Sequence, residues 1–485
     1  MAGVGTGPQR RDLTAGPIGK TLLLFTVPTL ASNILQSLNG SINAIWVGRF
    51  LGEDALAATA NANIVMFLMF SVVFGFGMAS TVLIGQSVGR GDIHAARRAF
   101  GSAVGFCFLL SMVVAVSGWF GAPALLRLLA TPGGAYDLAL TYMRVIFIAM
   151  PAGLLSIMMM MGLRGAGDSI TPLRFMILSV LLDAGLNPLL ILGWGPIPAM
   201  GIAGSAAATA LAGFISLISL ITYTYRYDLP LRLRGEELSY LMPTAADLRV
   251  LISKGLPMGL QMVVMSASGL VMIGLVNREG ILTTAAYGAA QQLWTYLQMP
   301  AMAIGAGVSA MAAQNVGAGR WDRVGRITGS GLLFNCLITG GMITVLLLFD
   351  RPALALFLGS GSPAIEVARH MQYLASWSFL LFGLATVLFG TMRANGYVLA
   401  PLLILIVALY PVRLGFYHFA YPYLGADALW LSFPVGSMVS FSLALTVYLQ
   451  GGWKKARLVM PPHEEECRES LNAESEPAGR MSPTG

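Results

Sequence analysis

The sequence predicts an all-α polytopic membrane protein with twelve transmembrane helices in two pseudo-symmetric six-helix bundles. Three observations lead there. Only 11% of the residues are charged and 56% are apolar, against about 25% charged in ordinary soluble domains. Windows of predominantly apolar residues, each needing about 20 residues to cross a bilayer, recur twelve times along the chain. Finally, short motifs repeat at a constant spacing: Gln86 and Gln314 are 228 apart (314 − 86), as are Gly89 and Gly317, while Pro28 and Pro257, and Arg164 and Arg393, are 229 apart (257 − 28; 393 − 164). No ten-residue stretches alternate between apolar and polar residues, which argues against a β-barrel.

The expected spans are 20–48, 55–86, 99–120, 138–162, 173–194, 201–224, 250–276, 283–313, 327–349, 365–391, 399–420 and 428–450. The first is too long for a signal-peptide core and no small-residue cleavage site follows it, so it is read as a retained helix. Six spans per half is an even number, which orients both halves alike and relates them by an axis along the membrane normal, with a cavity between or within them. The expected organisation is a cytoplasmic segment 1–19, a first bundle 20–224, a cytoplasmic linker 225–249, a second bundle 250–452 and a disordered cytoplasmic tail 453–485. With both ends cytoplasmic, the outer ends hold only Arg49, Arg127, Arg144, Arg278, Arg351 and Arg369. The inner segments carry the large majority of the lysines and arginines, as the positive-inside rule requires. The expected location is the plasma membrane, the inner membrane of a bacterium.

Polar residues inside these spans mark the candidate sites. In the first span, Asn33, Gln36, Gly40 and Asn43 recur at helical spacing, with Asn39 beside them. Lipid cannot satisfy primary amides, so this stripe faces either neighbouring helices or a water-filled cavity. Pro28, below it, removes a backbone hydrogen bond and makes either a static kink or a hinge. The fifth span holds Asp183, the one acid set deep in a long apolar segment, roughly 15 Å along its helix and so near the bilayer midplane. Such a group is expensive in hydrocarbon and is a functional site by default. Asn187 shares its helical face, and Pro188 should free the carbonyl of Ala184. An acid, an amide oxygen and a loose carbonyl suit a hard cation such as Na⁺; the same carboxyl could instead take up a proton. The bland reading is a structural ion pair, for which Arg413 in the eleventh span is the only intramembrane cation. Met158–Met161 reads as core filling or a pliable wall. In the second half, Gln261, Gln291, Thr295 and Gln298 are the candidates for lining a cavity.

The remaining motifs exclude other classes. Cys107, Cys336 and Cys467 form no pattern, the four histidines make no ligand pair, and there is no P-loop or nucleophile elbow. No cofactor and no enzymatic activity are expected; a pump without an ATPase draws on a cation gradient. Basic residues are spread over loops rather than gathered on one face, so nucleic acid is not an expected partner.

Between about Gly16 and Lys455 the chain resembles the multidrug and toxic compound extrusion (MATE) family of cation-coupled efflux transporters. The stretches that carry the resemblance are NAIWVGRFLGEDALAA, GQSVGRGD, LRGAGDSITP, LNPLLILGWGPIPAMGIAGSAAAT, AAYGAAQQ and QNVGAGRWDR, six in order. The resemblance implies a V of two bundles that rock to alternate access, a monomer, and exchange of Na⁺ or H⁺ for cationic or amphiphilic compounds. It maps a cation pocket onto Asn43, Asp183 and Asn187, with Tyr142, Ser205 and Thr209 as further polar groups. Two positions depart from the family's bacterial pattern. Its VDTIFVGR is INAIWVGR here, placing Asn43 where an aspartate is usual, and its N-x-x-x-D-P is Asp183-x-x-x-Asn187-Pro188. The seventh helix has no carboxylate, so a second-bundle cation site is not expected. The alternative within the wider superfamily is a lipid or lipid-linked-oligosaccharide flippase, which should have a basic cavity; a membrane enzyme would need a catalytic cluster at a membrane face.

Overall fold

A computed structural model describes residues 12–128, 133–193 and 198–456. The first bundle consists of α1 (Ile18–Leu51), α2 (Glu53–Gly89), α3 (Ile93–Leu128), α4 (Gly133–Gly165), α5 (Ile170–Leu192) and α6 (Ile202–Arg226). The second consists of α7 (Ala245–Val276), α8 (Ile281–Gly317), α9 (Trp321–Leu348), α10 (Asp350–Leu358), α11 (Ala364–Ala375), α12 (Ser378–Ala394), α13 (Leu399–Val407), α14 (Arg413–Leu424) and α15 (Asp427–Gln450). No strand occurs among the described residues. Ten helical segments there are long and apolar enough to cross a bilayer, and α11 with α12 make an eleventh span bent by 44°. The remaining rod is α8, 37 residues long.

Each expected span coincides with a helix, but three details differ. The tenth span is broken between α11 and α12 and is preceded by the short, unexpected α10. At the break, Ser376 Oγ donates to Gln372 Oε1, and Trp294 Nε1 reaches both Gln372 Oε1 at 2.8 Å and Ser376 Oγ at 3.0 Å. Side chains that bond locally in this way compete with the helical ladder and bend it. The eleventh span contains a π turn, Ala408–Val412, around Pro411. Lastly, α7 begins at Ala245 rather than near 250, because Thr244 caps it: its Oγ1 accepts from Asp247 N at 3.2 Å while the Asp247 carboxylate accepts from Thr244 N, a reciprocal capping box. The expected disordered tail lies outside the described residues, apart from its first few positions.

The linker is not a loose polar tether. A 3₁₀ turn over Gly235–Leu241 lies on α3, where a methyl group at Gly105 would come within 1.8 Å of Leu241 O. Arg97 Nη1 meets Glu237 Oε1 at 2.8 Å, and the buried Arg98 meets Asp247 Oδ1 at 2.8 Å, with Ser102 Oγ 3.2 Å from the other oxygen.

The two bundles meet where the sequence repeats itself. A methyl group at Gly89 would sit 1.9 Å from Gln314 O, and one at Gly317 would sit 2.0 Å from Gln86 O, so only glycine allows these backbones so close. Gln86 Nε2 donates to Ala394 O at 2.7 Å and Gln314 Nε2 donates to Gly165 O at 2.9 Å. The two repeats therefore clasp each other reciprocally. On the same side, Asn315 Nδ2 holds Leu13 O at 3.0 Å and Arg320 holds Thr14 O at 2.8 Å. Deeper along the helices, α2 and α7 touch where a methyl group at Gly75 would lie 2.1 Å from Gly259 N. All of these contacts fall in the halves of the helices that end on the basic loops.

Two outcomes follow from the strap. Asp247→Ala removes the carboxylate that the buried Arg98 meets, and should lower the free energy of unfolding by about 3–5 kcal/mol, read as a drop in melting temperature in detergent. At Glu237, burial disfavours the charged form, but the hydrogen bonds from Arg97 and from the Arg234 backbone, with the positive charge of Arg97, outweigh it and hold the carboxyl below its ordinary 4.5. A carboxyl with a depressed folded pKa contributes fully above its unfolded value and loses that contribution as pH falls through the folded one. The melting-temperature gap between the native chain and Glu237→Gln should therefore be full near neutral pH and close as pH is lowered below 4.5.

Candidate functional site

Three helices each present polar residues one turn apart: Asn39 and Asn43 on α1, Asp183 and Asn187 on α5, Ser205 and Thr209 on α6. This i, i+4 spacing puts each pair on one face. The α5 and α6 faces come together because Gly204 lacks a side chain; a methyl group there would lie 2.3 Å from Leu190 O. Tyr142 reaches in from α4.

These residues form two adjoining hydrogen-bonded groups, which meet where Thr209 Oγ1 lies 3.4 Å from Ser205 O. Thr209 Oγ1 donates to Asp183 Oδ1 at 3.0 Å and Asn187 Nδ2 donates to the same oxygen at 3.3 Å. The Asn39 side chain also lies beside Asp183. Ser205 Oγ donates to Asn43 Oδ1 at 2.7 Å, and Asn43 Nδ2 donates to Tyr142 OH at 3.2 Å. Asp183 is 2% exposed and Asn187 and Ser205 are fully buried, so no bulk water screens the acid. The Oδ1 atoms of Asn39 and Asn187 are buried without a hydrogen-bond partner among the described residues. A carboxylate with two spare amide oxygens around it is an all-oxygen donor set, the kind a hard monovalent cation takes in place of its hydration shell.

Among the described residues, no lysine, arginine or histidine pairs with Asp183. Arg413, the one candidate partner read from the sequence, lies in the other bundle with its guanidinium 3.5 Å from the Phe433 ring centroid. Next to the network is a cavity of about 130 Å³, lined by Met66, Phe70, Ile146, Ala149, Met150, Gly153, Leu154, Ile157, Thr209 and Gly213. Thr209 belongs to both the cavity wall and the Asp183 cluster.

The other candidates are placed differently. Asn39, expected in a cavity stripe, joins the Asp183 cluster; Asn33 is half-buried and Gln36 exposed, and neither belongs to it. Gln261 is not a cavity residue: it is buried, and its Nε2 donates to Val398 O at 3.4 Å, tying α7 to the start of α13. Gln291 and Gln298 are half-buried on α8, and Thr295 Oγ1 donates to Gln291 O at 3.0 Å. Met158–Met161 are all buried, hence core rather than cavity wall. Through Pro28, α1 runs unbroken; Thr29 and Ser32 hydroxyls donate back to Phe25 O at 3.1 Å and Pro28 O at 2.9 Å. Among the described residues no cluster of three or more His, Cys, Asp or Glu side chains could hold a metal ion.

The MatE family model matches this chain twice, over residues 28–189 and 257–417, one match for each bundle. The chain is 35% identical over 443 residues to the probable multidrug resistance protein YoeA of Bacillus subtilis, covering 91% of this chain and 95% of that protein. It is 29% identical to the probable multidrug resistance protein NorM of Deinococcus radiodurans, over 86% of this chain and 92% of the relative. A solved structure described as the outward-facing conformation of a multidrug resistance MATE family transporter superposes with a TM-score of 0.82 at 19% identity, over 93% of this chain and all of that one. Six-helix repeats that clasp at one end, a buried polar cluster in the first of them, and a family match that falls once on each repeat lead to one conclusion: the chain belongs to the MATE (MatE) family of multidrug efflux transporters.

Proposed function

We propose that this transporter is a secondary antiporter that exports cationic or amphiphilic compounds in exchange for Na⁺ or H⁺, with Asp183 as the coupling carboxylate. The observation that carries this reading is a buried acid with no cationic partner among the described residues, bonded by Thr209 on the wall of an apolar cavity. Without a fixed counter-charge, the acid is left to bind a mobile one. One carboxylate neutralises one cation, so one ion or proton moves per cycle. Asn39, Asn43, Tyr142, Asn187, Ser205 and Thr209 orient the acid, and Asn187 with Asp183 supplies the first oxygens if the ion is Na⁺. Ion binding at Asp183 favours a first bundle contracted about Pro28 and drug binding favours the open cavity, so each ligand weakens the other by the same factor. In this reading the clasped ends are cytoplasmic, the membrane is the bacterial inner membrane, and the working unit is a monomer. A flippase reading lacks the basic cavity it would need, since the cavity beside Asp183 has no basic residue in its wall.

In proteoliposomes carrying Na⁺ and H⁺ gradients imposed separately, Asp183→Asn should reduce gradient-driven ethidium flux to the passive leak. Ethidium binding in detergent should persist, since the network loses a charge and not its shape. Undiminished driven flux in the variant under both gradients would remove Asp183 from the coupling role.

A further inference from the structure

The internal repeat places an opposite charge at the corresponding point of the second bundle. Just before the π turn the repeats run at a spacing of 229, as for Arg164 and Arg393 and for Pro172 and Pro401 (401 − 172). A π turn, closing i to i+5, takes in about one residue more than an α turn, so beyond Ala408–Val412 the spacing becomes 230. Asp183 and Arg413 are 230 apart (413 − 183). The last helix of each repeat agrees. Gly201 and Gly425, which precede α6 and α15 with nearly equal backbone angles (φ 56°, ψ −130°; φ 57°, ψ −137°), are 224 apart (425 − 201). Thr209 and Phe433 are also 224 apart (433 − 209). Where Thr209 touches Asp183 in one bundle, Phe433 touches Arg413 in the other.

Arg413 is 7% exposed, and its Nε and Nη2 are buried without a hydrogen-bond partner among the described residues. Phe433 covers the flat face of the guanidinium, a contact that offsets part of the charge's desolvation. The Nε–Nη2 edge is left over. That edge is the fork that a carboxylate or another oxyanion engages with two parallel hydrogen bonds. Tyr287 lies within electrostatic reach of the charge and stacks with Trp430, their ring centroids 5.9 Å apart, while it meets Trp294 edge to face. The surround is therefore aromatic, with a single cation in it.

We propose that the second bundle holds an anion-binding site centred on Arg413, which takes the carboxylate or sulfonate group of an aromatic amphiphile. A small inorganic anion gives up a full hydration shell and finds one guanidinium edge in return, whereas an amphiphile adds the burial of its rings against the half-buried Phe433. This goes beyond the exchange of cations at Asp183 and does not depend on it, because binding at Arg413 requires no gradient.

Energy transfer from tryptophan to pyrene in detergent tests the site with 1-pyrenebutyrate and the matched cation 1-pyrenemethylammonium. Arg413→Gln should weaken 1-pyrenebutyrate by about tenfold or more, and the cation by less than about twofold; Arg413→Lys should recover part of the loss. Equal changes for both probes, or none for 1-pyrenebutyrate, would overturn the site. If Arg413→Gln fails to fold, the native protein decides: 1-pyrenebutyrate must bind tighter than its methyl ester, and equal affinity overturns the proposal. Displacement of the probe by millimolar sodium sulfate would make a free inorganic anion the ligand and remove the amphiphile.

Discussion

An ion inside hydrocarbon must find a partner, and that constraint organises both bundles. At Asp183 the neighbours are neutral: a hydroxyl and amides from α1, α5 and α6. Neutral donors ease the desolvation of a carboxylate without cancelling its charge. A guanidinium in the same place would hold the acid in one state; hydroxyls and amides leave it able to exchange. The polar network thus differs from a structural salt bridge such as Arg98–Asp247, where both charges are buried against each other and the pair holds a strap in place.

The geometry that isolates this acid depends on glycine as much as on polar residues. Gly204 lets α5 and α6 approach until Thr209 can reach Asp183, while Gly75, Gly89 and Gly317 let the bundles touch along the halves that end on the basic loops. Helices in lipid gain little from hiding apolar surface from one another, so close backbone packing supplies much of the adhesion. Packing at one end, with the polar cluster set away from it, is the arrangement that two rigid bundles need in order to rock.

Much of this was legible in the sequence. The twelve spans, the duplication and the residues of the Asp183 network followed from hydropathy, spacing and family resemblance, because period and charge are local properties of the chain. What escaped was decided between helices. Asn39 shares its face with Asn43, yet which of the α1 amides meets α5 depends on how the rods cross. Gln261 carries the same amide as Gln291, but a backbone carbonyl at the start of α13 captures it. The bend between α11 and α12 arises from Trp294 on α8, Gln372 on α11 and Ser376 in the break itself. The π turn left only a one-residue change of spacing, invisible until the repeats are laid over each other.

The reciprocal clasp grips main-chain oxygens. Gln86 holds the carbonyl of Ala394 and Gln314 that of Gly165, and every amino acid supplies the same carbonyl. The recipient positions are thus free to drift, and the duplicated halves can diverge in their interiors without losing the joint between them. A descendant of a single ancestral half could in this way acquire an acid in one copy and a base in the other, the joint between them inherited intact.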